Sequence, residues 1–404
     1  TLQKRRRDAR SAAYQAFIAN VDPSVEQMLE ALRKKMYLSL DEHDLSAPVR
    51  SGKVPPRNKQ ITVNEAELPH YELTESVMAS DVITRCMKLY AKDERVWSVD
   101  SDLGSTSGLQ GGVGYVDQNR ALNVGIAEAN MMCVGEAIGA LGGNGWVSTF
   151  CPFFNWQVMR RIAVSQQERL EAIADPESWL SEGHGRDLTF GATAANLDTQ
   201  VNGATHMGND DNLVFSTVAG LKIIDVSCPN QLVSIIRWIM EGDKGLVYLR
   251  IMRSASGVLY PAGQRFVYGK SWLLAGDEHS SVAIISSGRA SHEALAAAKL
   301  LDKEGVSAAV YDMPSFDVET VRRLLTQHTQ PVIFAEQNNG YLWNAAAKLV
   351  FDEGLQVDMK RLRSVNMNRR DGSYRYIHSA TYKELTSSAA LDALSLAATI
   401  KAMI

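Results

Sequence analysis

The sequence has 404 residues, of which 45% are hydrophobic and 22% charged, as in globular proteins that fold into two or three domains. Its 42 Lys and Arg residues nearly balance 46 Asp and Glu residues, and this net charge of −4 argues against a nucleic acid or an anionic membrane as partner. The four cysteines lack Cys-x-x-Cys spacing and no apolar stretch reaches the ~18 residues that span a membrane, so we expect buried thiols in a cytoplasmic protein without disulfides.

The first segment, residues 1–72, differs in pattern from the rest and is predicted to be a helical and extended linker. Helical spacing of apolar residues occurs over 4–18 and 24–38, and a polar, proline-bearing stretch follows over 47–59. The basic run Lys4–Arg7 fits a solvated helix end, with a phosphate or nucleic-acid contact as the alternative.

A regular alternation of strand and helix patterns predicts an α/β domain over residues 73–258. Short strand-like runs occur at Arg95–Val99, Ala121–Val124, Gly145–Phe150, Asp187–Ala194, Leu221–Val226 and Gly245–Ile251. Helical patterns separate several of them at Ala129–Leu141, Phe154–Arg169 and Gln231–Met240, and Gly142-Gly143 stands where the first of these helices should end. This pattern is typical of a largely parallel sheet with helices on both faces.

A second, smaller α/β domain is predicted over residues 259–404. Its strand-like runs lie at Ser281–Ser286, Val306–Tyr311 and Pro331–Ala335 and alternate with helical patterns. Ser291 and Asp317 precede two of these helices and are predicted N-caps. The predicted fold class is therefore α/β, with two doubly wound domains preceded by the linker segment.

Candidate functional residues follow the strands of the first domain, because open α/β sheets place their sites at the carboxyl ends of strands. Glu128 stands where a helix begins; the helix N-terminus favours its ionised form and burial its neutral form, so it either shares a proton or simply complements the helix dipole. Phe150, Phe153 and Trp156 recur every three residues, which fits core packing on one helix face or an aromatic shelf for a planar heterocycle.

Basic side chains provide two further candidates. His206 lies in a polar, glycine-bearing loop, where it is either a general acid–base, a donor to a developing oxyanion, or an exposed side chain. Arg250 and Arg253 follow the last strand of this domain and suit either an anion site or interdomain salt bridges. The sequence contains no Walker loop, Gly-x-Ser-x-Gly elbow or His-Glu-x-x-His motif.

From about Leu73 to the end, the sequence resembles the pyrimidine-binding and C-terminal domains of transketolase and related thiamine diphosphate enzymes. The segments that carry the resemblance occur in the family's order, at Ser101–Leu103, Val124–Asn130, Thr149–Trp156, Gly203–His206, Arg253 and Pro331–Glu336. The resemblance implies a transferase of a two-carbon ketol unit with thiamine diphosphate and Mg²⁺ as cofactors.

The resemblance also implies roles around the cofactor. Glu128 would be a catalytic residue that shares a proton with the aminopyrimidine ring. Phe153 would stack on that ring, with Phe150 and Trp156 forming the surrounding wall, and Asp102 would also belong to the cofactor site.

On the substrate side, the resemblance implies that His206 hydrogen-bonds a reacting oxygen, while Arg253 binds substrate phosphate. Asn202 stands where transketolases have Asp, and Ala194 stands where they have His. The Arg expected near the start of the domain is replaced by Glu75 or Ser76. A sugar phosphate, a 2-oxo acid and a differently decorated sugar all remain open as the donor.

The family motif Gly-Asp-Gly with a following Asn, which holds Mg²⁺ and the diphosphate, does not occur in this sequence. We therefore expect a partner that carries a diphosphate-binding domain, and a homo- or hetero-oligomer with the site between subunits. The chain is either one subunit of a split enzyme or the downstream part of a longer chain, and its start at Thr1 rather than Met favours a processed start.

Two alternatives to ketol transfer remain. One is a decarboxylating relative that resembles pyruvate dehydrogenase E1 or deoxyxylulose phosphate synthase. The other is a non-catalytic partner subunit, although such a scaffold would need neither Glu128 nor His206.

Overall fold

The computed structural model describes residues 58–174, 185–368, 371, 373 and 376–404, and three isolated positions, 12, 16 and 27. Apart from these positions, the predicted helices over 4–18 and 24–38 lie outside the described residues, as do Lys4–Arg7 and the predicted linker before residue 58. Asn58–Gln167 and Gly185–Ile404 form one compact unit that holds both predicted α/β arrangements.

The strands of the first α/β arrangement are β1 (Ser76–Val77), β2 (Val96–Asp100), β3 (Ala121–Asn123), β4 (Asn144–Phe150), β5 (Asp187–Thr193), β6 (Leu221–Asp225), β7 (Leu246–Ile251) and β8 (Ser256–Gly257). Six of them, β2 to β7, form a parallel sheet in the order β3-β2-β4-β5-β7-β6. The pair β1 and β8 lies apart from this sheet and is antiparallel, with Ser76 opposite Gly257. The central strands β4, β5 and β7 are buried along their whole length, as expected for parallel strands that helices cover on both faces.

Helices cover both faces of this sheet, as predicted. They are α1 (Ala79–Tyr90), α2 (Gly104–Ser107), α3 (Leu109–Val116), α4 (Glu128–Ala140), α5 (Trp156–Ala174), α6 (Asp211–Phe215) and α7 (Pro229–Met240). Apolar side chains of α1 and α7 share one core, and those of α4 and α5 share the other. Helix α4 ends before Gly142, whose φ of 90° is the left-handed conformation that stops a helix, so the predicted end is confirmed.

Residues 58–72 pack against this first α/β arrangement rather than forming a free linker end. The Ile61 N–H donates to the Met240 carbonyl at 2.8 Å. The Asn230 side chain accepts from the Tyr71 N–H at 3.0 Å and donates to the Tyr71 carbonyl at 2.8 Å. These bonds, together with burial of Ile61 and Tyr71, fix the segment against the packed core.

The second sheet of the described chain has five strands, β9 (Trp272–Ala275), β10 (Val282–Ser286), β11 (Ala308–Asp312), β12 (Val332–Ala335) and β13 (Leu362–Val365). Their order across the sheet is β13-β12-β10-β11-β9, and β9 is an antiparallel edge strand. The accompanying helices are α8 (Ala290–Asp302), α9 (Val318–Thr326), α10 (Tyr341–Glu353), α11 (Tyr382–Ser388) and α12 (Ala393–Lys401). The predicted β-α-β-α-β order is confirmed, and the two edge strands β9 and β13 are additions to it.

One of the two predicted N-caps is confirmed and the other is wrong. The Asp317 side chain accepts the Thr320 N–H at 3.1 Å and so caps α9. Ser291 lies inside the first turn of α8, and its hydroxyl donates to the buried Asp312 carboxylate at 2.6 Å. The hydroxyl therefore satisfies a buried carboxylate of the neighbouring strand instead of the helix end.

All four cysteines are unpaired, but they are not all buried. Cys86, Cys151 and Cys228 are buried, and burial raises the pKa of each of these thiols. Cys133 is exposed on the outward face of α4, so the prediction of burial is wrong for this residue. Across the described residues, no helix is both long enough and apolar enough to span a bilayer.

Candidate functional site

Glu128 is the first residue of α4, directly after the turn by which the chain leaves β3. Its side chain is half-buried at the carboxyl edge of the first sheet. The unpaired N–H groups and the dipole of α4 favour a negative charge there. The carboxylate is thus fixed on a regular element while it can still be reached by a ligand.

Ser101 holds the turn that precedes Glu128. Its buried hydroxyl donates to the Gly125 carbonyl at 2.8 Å and accepts the Ala127 N–H at 3.0 Å. Ser101 belongs to the turn after β2, so these bonds join that turn to the one from which α4 starts. They restrict the backbone on which Glu128 is carried.

Asn123 connects the same two turns from the side of β3. Its Oδ1 accepts the Gly125 N–H at 2.9 Å and the Asp102 N–H at 3.2 Å. Asp102 is exposed and has a φ of 60°, a left-handed conformation that Asp adopts more readily than most residues. The predicted site residues Asp102 and Glu128 therefore lie on two adjoining turns at one edge of the sheet.

Asp100 is a buried carboxyl group at this edge that the sequence reasoning missed. It ends β2, is 3% exposed, and accepts the Ser107 hydroxyl at 3.1 Å. Burial raises the pKa of Asp100 to about 7, against a smaller opposing effect of the Ser107 hydrogen bond. The available signal was an acidic residue ending a strand whose other residues are mostly buried.

The rings of Phe150, Phe153 and His206 form a cluster at the ends of β4 and β5. The His206 ring centroid lies 5.5 Å from that of Phe150 and 5.1 Å from that of Phe153, both in edge-on geometry. The Thr205 hydroxyl lies 2.8 Å from His206 Nδ1, and the Arg253 guanidinium carbon lies 5.4 Å from the Phe150 ring centroid. The structure thus brings together four of the predicted residues, and His206 is half-buried rather than freely exposed.

Trp156 lies apart from this cluster. Its side chain is 41% exposed, and its indole N–H donates to the Thr217 hydroxyl at 3.4 Å. Within the described residues, its ring contacts neither Phe150 nor Phe153. The three-residue spacing does not continue on one face, because Cys151–Phe153 is a 3-10 turn and α5 begins only at Trp156.

Asn202 lies in the 3-10 stretch Asn196–Thr205, just before His206. Its side chain is half-buried, and its carbonyl accepts the Thr205 hydroxyl at 3.4 Å. The same hydroxyl lies next to His206 Nδ1. Asn202 is therefore linked to the ring cluster through Thr205.

Arg250 is committed to internal ion pairs and is unavailable to a ligand. Its side chain is 0% exposed and pairs with Asp211 at 2.9 Å and Asp225 at 2.7 Å. Ser287, in the loop after β10, donates to Asp225 at 3.0 Å and so links this cluster to the second sheet. Arg250 therefore forms salt bridges, but within its own domain rather than between the two domains as one alternative had it. Of the two arginines, Arg253 is the one that faces the rings.

The side chains at this edge of the sheet fit the aminopyrimidine ring of thiamine diphosphate. Glu128 offers a carboxylate to a ring nitrogen, and the partly open Phe153 ring offers an aromatic surface to a planar heterocycle. For a metal ion, by contrast, the described stretches of the chain contain no group of three or more His, Cys, Asp or Glu side chains that is arranged to hold one.

Comparison with known protein families gives two matches that follow the two sheets. Residues 76–257 match the pyrimidine binding domain of transketolase, and residues 274–380 match the transketolase C-terminal domain. The chain belongs to the transketolase family. This membership confirms the resemblance and the α/β fold class, and the family is one of thiamine-diphosphate-dependent transferases.

Similar proteins within the transketolase family include separate subunits and sections. The 6-deoxy-6-sulfo-D-fructose transketolase subunit SqwH of Clostridium sp. (strain MSTE9) is 27% identical over 72% of this chain and 85% of its own length. The putative transketolase C-terminal section of Methanocaldococcus jannaschii is 24% identical over 71% of this chain and 85% of its own. A solved split gene transketolase, described as an inactive beta4 tetramer, shares the fold with a TM-score of 0.61, at 22% identity over 81% of this chain and 98% of that one.

Proposed function

We propose that this chain supplies the pyrimidine-binding half of a transketolase-type active site that transfers a two-carbon ketol unit. The observation that carries the proposal is the convergence of a helix-initial carboxylate, Glu128, and the cluster of Phe150, Phe153, His206 and Arg253 on one edge of a parallel sheet. Family membership supports thiamine diphosphate as the cofactor. When bound, this cofactor supplies the nucleophilic carbon that attacks the donor's carbonyl.

Each proposed catalytic residue has a task that suits its position. Glu128 exchanges a proton with a pyrimidine ring nitrogen, and the bonds from Ser101 and Asn123 keep its backbone in place. Phe153 stacks on the pyrimidine, while Phe150 supports the ring cluster and Asp102 borders the cofactor from the next turn. His206 donates a hydrogen bond to the substrate oxygen on which negative charge develops.

The diphosphate and Mg²⁺ are proposed to be held by a partner that carries a diphosphate-binding domain. Relatives named as a transketolase subunit and as a transketolase C-terminal section support such a partner, because both names describe one part of a larger enzyme. The assembly would be a homo- or hetero-oligomer in which two chains complete each site. Unpaired cysteines support a reducing compartment such as the cytoplasm.

The proposed donor is a ketose that carries a tetrahedral anion at its far end. Arg253 supplies the cation, and Asn202 and His206 supply polar contacts nearer the reacting carbonyl. The relative named for 6-deoxy-6-sulfo-D-fructose supports a sulfonate as well as a phosphate.

We propose that the boundary between the two domains, 73–258 and 259–404, lies just after β8. Strand β8 pairs with β1, so Gly257 near the end of the first domain lies opposite Ser76 near its start.

The experiment combines the purified chain with its diphosphate-binding partner, thiamine diphosphate and Mg²⁺, and measures ketose cleavage. Glu128→Ala should lower turnover by at least ~10²-fold, since a positioned acid–base is lost. The chain should keep its thermal midpoint, because Glu128 is half-buried at a helix end. Exposed Glu94→Ala is the matched control and should keep full activity.

Two results would contradict the proposal. Full activity of Glu128→Ala would remove Glu128 from the reaction. Release of CO₂ from pyruvate, without ketose cleavage, would indicate the decarboxylating alternative instead.

A further inference from the structure

Asp198 is a buried carboxylate in the 3-10 stretch Asn196–Thr205 that follows β5. It is 1% exposed, and its Oδ2 accepts the Ser254 N–H at 2.5 Å. The Ser254 hydroxyl also donates to the Asp198 carbonyl at 3.4 Å. Burial raises the pKa of Asp198, while the backbone N–H groups of Ser254 and Arg253 and the charge of Arg289 oppose this rise. Because burial of a carboxylate costs free energy, we expect Asp198 to hold the backbone to which it is hydrogen-bonded in one conformation.

Arg289 forms a second bond to the same segment. Its guanidinium donates to the Ala255 carbonyl at 2.9 Å and lies 4.9 Å from the Tyr382 ring centroid. The residues directly after Arg253 are therefore bonded at an N–H by Asp198 and at a carbonyl by Arg289. Neither bond uses the side chain of Arg253.

The Arg253 side chain remains available for a ligand. Among the described residues, no side chain forms an ion pair or hydrogen bond with its guanidinium, which lies over the Phe150 ring. The Phe150 ring also contacts His206, so the free cation borders the proposed substrate oxygen site. An arginine on a fixed backbone loses less conformational freedom when it binds an anion than one on a mobile backbone does.

We propose that Asp198 and Arg289 are positioning residues that fix Arg253 to bind the tetrahedral oxyanion, phosphate or sulfonate, of the donor. The inference rests on the proposed function only for the identity of the donor. The anion site itself is a property of this chain. Asp198 determines how strongly the enzyme distinguishes anionic from neutral ketoses.

The first test titrates inorganic phosphate into the full chain by isothermal calorimetry, without turnover. Wild type should bind, Arg253→Ala should lose binding, and Asp198→Ala and Arg289→Ala should weaken it about tenfold, the change expected for one hydrogen bond to a charged group. Asp198→Asn keeps an acceptor oxygen for the Ser254 N–H and should bind nearly as wild type does. The exposed Arg265→Ala is the control for loss of a positive charge.

The second test compares three donors that differ only at C6, with the partner subunit and cofactors present: fructose 6-phosphate, 6-deoxy-6-sulfo-D-fructose and D-fructose. In Asp198→Ala, the KM of an anionic donor should rise about tenfold with kcat unchanged, and the KM of D-fructose should stay the same. The two anionic arms show whether phosphate or sulfonate is preferred. Thermal midpoints identify any variant that fails to fold. If Asp198→Ala fails to fold, Arg289→Ala carries the comparison, since it should raise the KM of the anionic donors in the same way.

The outcomes separate this inference from the proposed function. No phosphate binding by wild type, equal binding by wild type and Asp198→Ala, or an equal rise of KM for all three donors would overturn the positioning role. If wild type cleaves no ketose but binds phosphate through Arg253 and Asp198, the proposed function fails while the anion site stands.

Discussion

Arg250 and Asp225 form an ion pair of 2.7 Å, although their side chains are 0% and 4% exposed. Arg250 also pairs with Asp211 at 2.9 Å, and Ser287 reaches Asp225 from the loop after β10 at 3.0 Å. A buried charge is costly to the fold unless it is paired and hydrogen-bonded. These side chains therefore depend on one another, and they link the first sheet to the loop after β10 of the second sheet.

Replacement of Arg250 by Met tests this dependence. Arg250→Met leaves Asp211 and Asp225 buried without their cation, and we expect the free energy of unfolding to fall by about 3–5 kcal/mol. Urea denaturation of the full chain measures it. Lys401→Met is the matched control, because its pair with Glu304 is exposed and worth at most ~1 kcal/mol. Equal midpoints for the two variants would show that the buried cluster does not stabilise the fold.

Asp100 predicts a pH dependence of stability. Burial raises its pKa from 3.8 to about 7, so between about pH 4 and pH 7 the folded chain holds a proton that the unfolded chain has released. The contribution of Asp100 to stability is thus complete below pH ~4 and is lost as the pH rises through ~7. Asp100→Asn should raise the free energy of unfolding at about pH 8 by on the order of 2 kcal/mol, with little change at about pH 4.

Urea midpoints of wild type and Asp100→Asn at several pH values between these limits measure this effect. Asp302→Asn, at an exposed position, is the control for simple loss of a negative charge. A difference between wild type and Asp100→Asn that does not grow with pH would contradict the titration of Asp100.

The separation of Trp156 from the ring cluster predicts different effects of two aromatic replacements on cofactor binding. Phe153→Ala removes the ring beside His206 and should weaken binding of thiamine diphosphate about tenfold or more, since an aromatic contact and its buried area are lost. Trp156→Ala should leave the affinity within about twofold, because that ring lies against Thr217. Calorimetric titration of the cofactor, with the partner and Mg²⁺ present, measures both. A larger loss for Trp156→Ala than for Phe153→Ala would contradict the arrangement of the rings.

Local sequence patterns predicted the regular elements well because each depends on a short stretch of chain. Short strand-like runs between helical patterns marked the buried strands β4, β5 and β7, and Gly142 marked the end of α4. The same local reasoning failed at Ser291, whose hydroxyl meets Asp312 on another strand. It also treated Phe150, Phe153 and Trp156 as one set, since a spacing of three does not reveal where a turn gives way to a helix.

The sequence by itself determined the fold class, the family and the segment that carries Glu128, because these follow from the order of elements and motifs along the chain. Tertiary structure alone decided which of Arg250 and Arg253 forms the buried ion pairs, since only the packed sheets bring Asp211 and Asp225 to Arg250. It likewise placed Asp198 against Ser254, a bond between loops 56 residues apart. Burial and partners arise from residues that are distant in sequence, so no local pattern contains them.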